Sequence, residues 1–342
     1  MKRLWTTTAI VALFTWRFAV TAIAEPPKPL YEGQWVTISD GILAEFAKDH
    51  SKPKDKFTTM TAGIGVDRVS GDVYLLANNI GICKSTDQGK TFALVSGKSV
   101  TGRFETGWGL NIDPAGGRLM CFTIYGSAAY SGDAGKTWQP SKTGHLDYGA
   151  VDWADTGKAL LAIGHESGGK LLYSTDAGKA WKELGKGYSA AGLFDAKTLM
   201  SFTKTDELVR STDGGQTWSK VSDEKLAAPV MVLFNGTGYW LGERGLLVSK
   251  DKGATWTVAG PVPKGACLGP MFGADESRMM VASPDGFFES KDAGKTWALA
   301  APLAPKIKVQ RYGQWANYAW DPIHNIFYAS QMMEPAWRYV AK

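Results

Sequence analysis

An eight-residue pattern, Ser-x-Asp-x-Gly-x-Thr-aromatic, recurs six times in this 342-residue chain. The copies are Ser85–Phe92, Ser131–Trp138, Ser174–Trp181, Ser211–Trp218, Ser249–Trp256 and Ser290–Trp297, with Ala180 in the threonine place of the third. Their starts lie 46, 43, 37, 38 and 41 residues apart. Repetition at this period restricts the chain to a solenoid, a propeller or an array, because each unit must bury its apolar face against a neighbour. Every unit has the same grammar. An apolar strand ends in Asp or Asn at a turn, a second apolar strand follows, then a polar loop, a third strand, the octapeptide and a fourth strand. The first-strand ends are Asp67, Asp113, Asp155, Asp195, Asn235, Asp275 and Asp321, seven of them against six octapeptides.

That surplus predicts how the ring closes. After Asp321 the chain offers Asn325–Ser330 and Ala336–Val340 as second and third strands, then stops. The fourth is available at the other end, in Gly33–Ile38. Pairing the two ends removes an exposed sheet edge that would invite aggregation. The expected fold is therefore all-β: a seven-bladed β-propeller closed by an N-terminal strand. A six-bladed ring with extra strands is the alternative. Ile42–Ala47 is expected as a short helix.

Residues 1–24 read as a secretory signal: Met1-Lys2-Arg3, an apolar stretch over Ala9–Trp16, and an A-x-A cleavage site at Ala22-Ile23-Ala24. Residues 25–342 are then a single propeller domain, monomeric and periplasmic or secreted, with no membrane span. The formal charge of +5 falls to +2 once Lys2, Arg3 and Arg17 are removed with the leader. No dense Lys/Arg run appears elsewhere, which argues against a nucleic-acid partner. Cys83, Cys121 and Cys267 fall in different repeats without metal-ligand spacing, so no disulfide framework, metal or cofactor is expected.

The octapeptide is identified as the Asp-box, or bacterial neuraminidase repeat, and the chain resembles that superfamily over nearly its whole mature length. Asp87, Asp133, Asp176, Asp213, Asp251 and Asp292 are assigned structural roles. One Asp per repeat, dispersed around a ring, cannot assemble a calcium shell, and Asp at such positions hydrogen-bonds turn amides.

The four-strand order places the Asp-boxes on one face of the disc. The loops joining strands two and three, and those entering each blade, lie on the other face around the channel mouth. Function is expected there. His145, Asp147, Tyr148, Glu105 and Glu166 are the catalytic candidates, His beside carboxylates being suited to acid/base work and Tyr to proton donation or attack. Arg103, Tyr125, His165, Tyr188, Arg244, Arg311, Tyr312, Gln314 and Trp315 are the ligand-binding candidates. Arginine pairs with carboxylates, and aromatic rings stack on sugars. Gly107-Trp108-Gly109 is expected to mark close packing near the channel.

Asp-box propellers include sialidases, xyloglucan-type glucanases, polysaccharide lyases and photosystem assembly factors. The resemblance therefore implies one of two functions. The first is processing or binding of an acidic polysaccharide at the channel mouth, by hydrolysis or elimination. The second is a non-catalytic assembly propeller with a protein partner.

Overall fold

Seven four-stranded antiparallel sheets form the blades of a closed β-propeller. The computed structural model describes residues 28–48, 60–104, 106–126, 128–141, 145–154, 158–164, 166, 168–310 and 316–341. The expected leader lies outside them. The innermost strands are Thr61–Val66, Leu110–Ile112, Tyr148–Val151, Tyr188–Leu193, Val232–Phe234, Leu268–Phe272 and Ala316–Asp321. Second strands such as Val73–Ala77 and Leu160–Gly164 are buried at every residue. Their continuous apolar runs follow from packing against a blade on each side, where a one-sided sheet would alternate.

Blade seven is built from both ends of the chain. Gly33–Thr37 pairs antiparallel with Trp337–Ala341, in register from Gly33 opposite Ala341 to Thr37 opposite Trp337. Just upstream, the Leu30 and Tyr31 amides donate to the Leu299 and Ala300 carbonyls of blade six. The Tyr31 hydroxyl donates to the buried Glu289, which also takes the Arg278 guanidinium at 2.6 Å. The seam between blades six and seven is thus tied by backbone and by charge. The helix Asp40–Lys48 follows, opened by Thr37 Oγ1 donating to Asp40 at 2.6 Å, and it buries Ile42 and Phe46. Among the described residues, no helix is long and apolar enough to cross a membrane.

Each Asp-box is a self-contained hydrogen-bond unit. The serine hydroxyl donates to the aspartate Oδ1 at 2.7–3.0 Å and accepts the glycine amide at 2.8–3.0 Å. The same aspartate accepts the amide of the seventh residue and, in five copies, the threonine hydroxyl at 2.6–2.7 Å. The residue before the glycine and the glycine itself both have positive φ, as at Gln88 (64°) and Gly89 (77°), which makes glycine the low-cost choice. The Thr91 amide, followed by the Ser85 and Thr91 hydroxyls, holds the Asp87 carboxyl down at about 2.

In blade three the first strand, Tyr148–Val151, is followed by Asp152, whose amide donates to the Ala159 carbonyl, as Asp67 does to Asp72 and Asp113 to Arg118. The Ala154 amide caps Asp152 Oδ1 at 3.2 Å. Asp155, the expected turn residue of this blade, lies outside the described residues. The three cysteines are buried with free thiols, and burial pushes the Cys121 thiol up.

Candidate functional site

Five of the candidate residues converge on the face opposite the Asp-boxes, across blades two and three. Three loops are stitched there by backbone bridges linking Arg103 to Ile124 and Ile124 to His145. Close packing fixes them further: a Cβ on Gly126 would stand 2.2 Å from the Thr101 carbonyl oxygen. On this frame His145 Nε2 lies 3.3 Å from Asp147 Oδ1, and its Nδ1 lies 3.6 Å from Glu166 Oε2. The Tyr125 hydroxyl donates to Glu166 Oε1 at 3.1 Å, and the Tyr125 ring meets His145 edge-on at 5.4 Å. Arg103 stacks its guanidinium over the same ring, 4.9 Å from the centroid.

Burial divides this cluster into a support and a presented surface. Asp147 is wholly buried, while half of the Glu166 side chain is exposed. Tyr125 is 61% exposed and sits at φ 55°, a backbone region that a tyrosine seldom occupies. Strain at an exposed aromatic, over-determined by its surroundings, is a feature of ligand-contacting positions. Chemically, the cluster presents one cation, one aromatic platform and one open carboxylate. The commonest glycoside hydrolases place two carboxyl groups on either side of the bond, roughly 5–9.5 Å apart. Asp147 is sequestered beneath His145, so among the described residues this cluster presents only Glu166.

The remaining candidates are dispersed. Tyr148 is buried, with its hydroxyl donating to the Ser189 carbonyl at 3.0 Å. Strand alternation explains the separation: positions 145 and 147 share one side of the chain, and 148 takes the other. Tyr188 packs against Trp218 at 5.7 Å. Arg244, in blade five, is paired to Glu224 through both Nε and Nη2. Glu105, His165, Arg311, Tyr312, Gln314 and Trp315 lie outside the described residues. No His, Cys, Asp and Glu grouping among the described residues has metal-site geometry.

The channel itself holds two residues that the candidate set lacked. Trp108 reaches across from blade two, donating its indole N–H to the Cys267 carbonyl at 3.3 Å. Its ring packs against apolar clusters that run from blade three to blade seven. Gly107 permits this, since a Cβ there would stand 2.6 Å from the Ala316 carbonyl. The expected packing role of Gly107-Trp108-Gly109 thus takes the form of a bar across the mouth on the candidate face. On the Asp-box face Arg68 spans the ring, with Nη1 donating to Pro114 of blade two at 2.6 Å and Nε to Gly273 of blade six at 2.9 Å. It lies over the Phe234 ring of blade five at 5.0 Å. Nothing in its sequence neighbourhood marks Arg68, since an arginine in a strand turn reads as solvent-facing.

Comparison with known proteins agrees with this architecture. Residues 209–220 match the BNR/Asp-box repeat. The chain is a seven-bladed propeller that carries the Asp-box motif six times. A solved structure of YCF48 bound to D1 peptide is similar over 92% of this chain and 99% of its own, at 14% identity and a TM-score of 0.51. YCF48 from Cyanidioschyzon merolae aligns over 90% of this Asp-box propeller and 98% of its own chain, at 11% identity and a TM-score of 0.48. The GH74 xyloglucanase from Xanthomonas campestris aligns over 80% and 57%, at 17% identity and a TM-score of 0.39. Identities this low carry the fold alone. No curated protein sequence matches the chain.

Proposed function

We propose that this propeller is an exported, non-catalytic binding module whose rim over blades two and three docks a segment of a protein partner. The observation that carries the reading is the strained, exposed Tyr125, held between Arg103 and Glu166 on loops locked by backbone bridges. An immobilised aromatic with a cation and a carboxylate beside it is the composition of an interface anchor, and little ordering entropy remains to be lost on binding. The acid/base candidates favour the same reading. Among the described residues, Asp147 is buried and Tyr148 is engaged by a backbone carbonyl, which leaves Glu166 as the accessible carboxylate of the cluster. The peptide bound to YCF48, on a similar ring, is a fold-level precedent only.

One observation favours a second reading, the binding of an acidic glycan. Arg103 over the Tyr125 ring places a cation beside a flat apolar face, which suits a uronate or sialate carboxylate on a pyranose. Peptides selected by display on the immobilised protein, together with a panel of acidic oligosaccharides, separate the two by titration calorimetry. The expected result is a peptide whose affinity falls in Tyr125→Ala while the oligosaccharides give no saturable heat. Release of reducing ends from any polysaccharide, lost in Glu166→Gln, would overturn the non-catalytic reading.

A further inference from the structure

Two bulky side chains stand at the tips of rim loops in backbone conformations that suit neither. Tyr125 (φ 55°) lies in the loop between the second and third strands of blade two, and Met333 (φ 75°) lies in the same loop of blade seven. The other non-glycine residues at positive φ, among those described, are all Asn, Asp, Ala, Gln or Lys. Asparagine, which tolerates this region well, holds the corresponding tip of blade one at Asn79 (φ 57°). Tyr125 and Met333 are also the two most exposed large apolar side chains of the described residues, at 61% and 60%. Neither burial nor backbone preference accounts for them, and what favours both is a surface that covers them.

The three tips follow one another round the rim, blade one lying between blades seven and two. Blade one ties both neighbours. The Thr61 hydroxyl donates to the Glu334 carbonyl at 3.1 Å, and the Asn79 amide donates to the Gly102 carbonyl at 3.0 Å. The tips are thus held at a set separation before any partner arrives. We propose that Met333 is the second anchor of the rim interface, and that the partner segment is an extended peptide with two apolar side chains, laid from Tyr125 across Asn79 to Met333. Packed sheets lie about 10 Å apart and an extended chain rises about 3.3 Å per residue, so tips two blades apart set the apolar residues about six positions apart. Asn79 is exposed between the anchors. Its side-chain amide offers a donor and an acceptor to peptide groups that an extended chain leaves free and a helix would consume. Met333 has this role only if the rim is a docking surface, as proposed above.

The probe is an array of synthetic peptides in a Ser/Gly/Thr host, each with one Trp and one Leu at separations from two to nine positions, beside peptides with the Trp alone. Binding of the whole protein is expected to peak near a separation of six. In Met333→Asn the best two-anchor peptide should lose about tenfold in affinity, to the level of Trp alone. The melting temperature of that variant should be at or above that of the wild type, because asparagine suits the backbone there. Tyr125→Ala should weaken both peptide classes. Binding that depends on Tyr125 but not on Met333 or on the separation overturns the second anchor and leaves the rim as a docking surface. A Met333→Asn variant that melts early and binds the array normally makes Met333 scaffold and overturns it as well. Binding indifferent to Tyr125, or none at all, overturns the docking reading itself.

Discussion

The two faces of the disc use carboxylates in opposite ways. In each Asp-box the serine, glycine and threonine that satisfy the carboxylate lie within eight residues of chain. On the rim, the groups of the Glu166 and His145 cluster are drawn from residues 103 to 166, in two blades and four loops. Local satisfaction makes a unit that can be copied around a ring without reference to its neighbours, and six copies result. Satisfaction at a distance requires the ring to be folded first, so such a cluster is tied to one place and is not copied from blade to blade. A carboxylate consumed by its own turn is scaffold, whereas one brought together by the fold, with an exposed aromatic on top, can meet a ligand.

Acid should separate the faces most strongly. Hydrogen bonds to the ionised carboxylate hold Asp87, Asp251 and Asp292 at about 2, and Asp133, Asp176 and Asp213 below the usual range. A native value below the unfolded one means that stability is fully present above the unfolded pKa and is lost as pH falls through the native one. With unfolded aspartates near ~3.9, melting temperature should hold down to that pH and then fall steeply towards pH ~2. All six boxes contribute, so the loss should be large and cooperative. A flat melting temperature across that window would mean the boxes do not stabilise the ring.

Ser211→Ala tests one box in isolation. The buried serine hydroxyl accepts the Gly215 amide at 2.8 Å and donates to Asp213 at 2.8 Å. Removing it strands a buried N–H, which should cost about 1–3 kcal/mol in denaturant unfolding. Binding at the rim should be unchanged. Tyr125→Ala should behave in the reverse way. The residue is 61% exposed, so stability should stay within ~0.5 kcal/mol, while affinity for a selected peptide should fall at least about tenfold. A Tyr125→Ala variant that melts early but binds normally would turn the rim cluster into scaffold.

How much of this was legible in the sequence follows from the same distinction. The octapeptides and turn aspartates, each a local device, gave the blade number, and the strand at Gly33–Thr37 was found because the seventh blade lacked one. Asp-Trp-Ala-Asp offers two aspartates at the blade-three turn; the ladder runs through Asp152, and Asp155 lies outside the described residues. Tyr148 was grouped with His145 by adjacency, although the period of two separates them. Trp108 was legible as close packing near the channel, but what it and Arg68 reach was not, for a different reason. Their partners lie across the channel, at Cys267, Pro114 and Gly273, and no local pattern reports what a closed ring brings opposite.

The smallest effect is the most specific test of the local rule. The third box has Ala180 where the other five have threonine, and its aspartate keeps the amide bond, at 3.0 Å, but lacks the hydroxyl bond. Ala180 is exposed, so a threonine there meets little packing resistance, and the five others show where its Oγ1 would sit, 2.6–2.7 Å from Oδ2. Ala180→Thr should therefore add about 0.5 kcal/mol, in the lower range for one solvent-accessible hydrogen bond. The gain should vanish in the background Asp176→Ala, because the hydroxyl would have lost its acceptor. If threonine stabilises both backgrounds equally, the benefit comes from strand propensity, and the hydroxyl bond in the other five boxes adds nothing to stability.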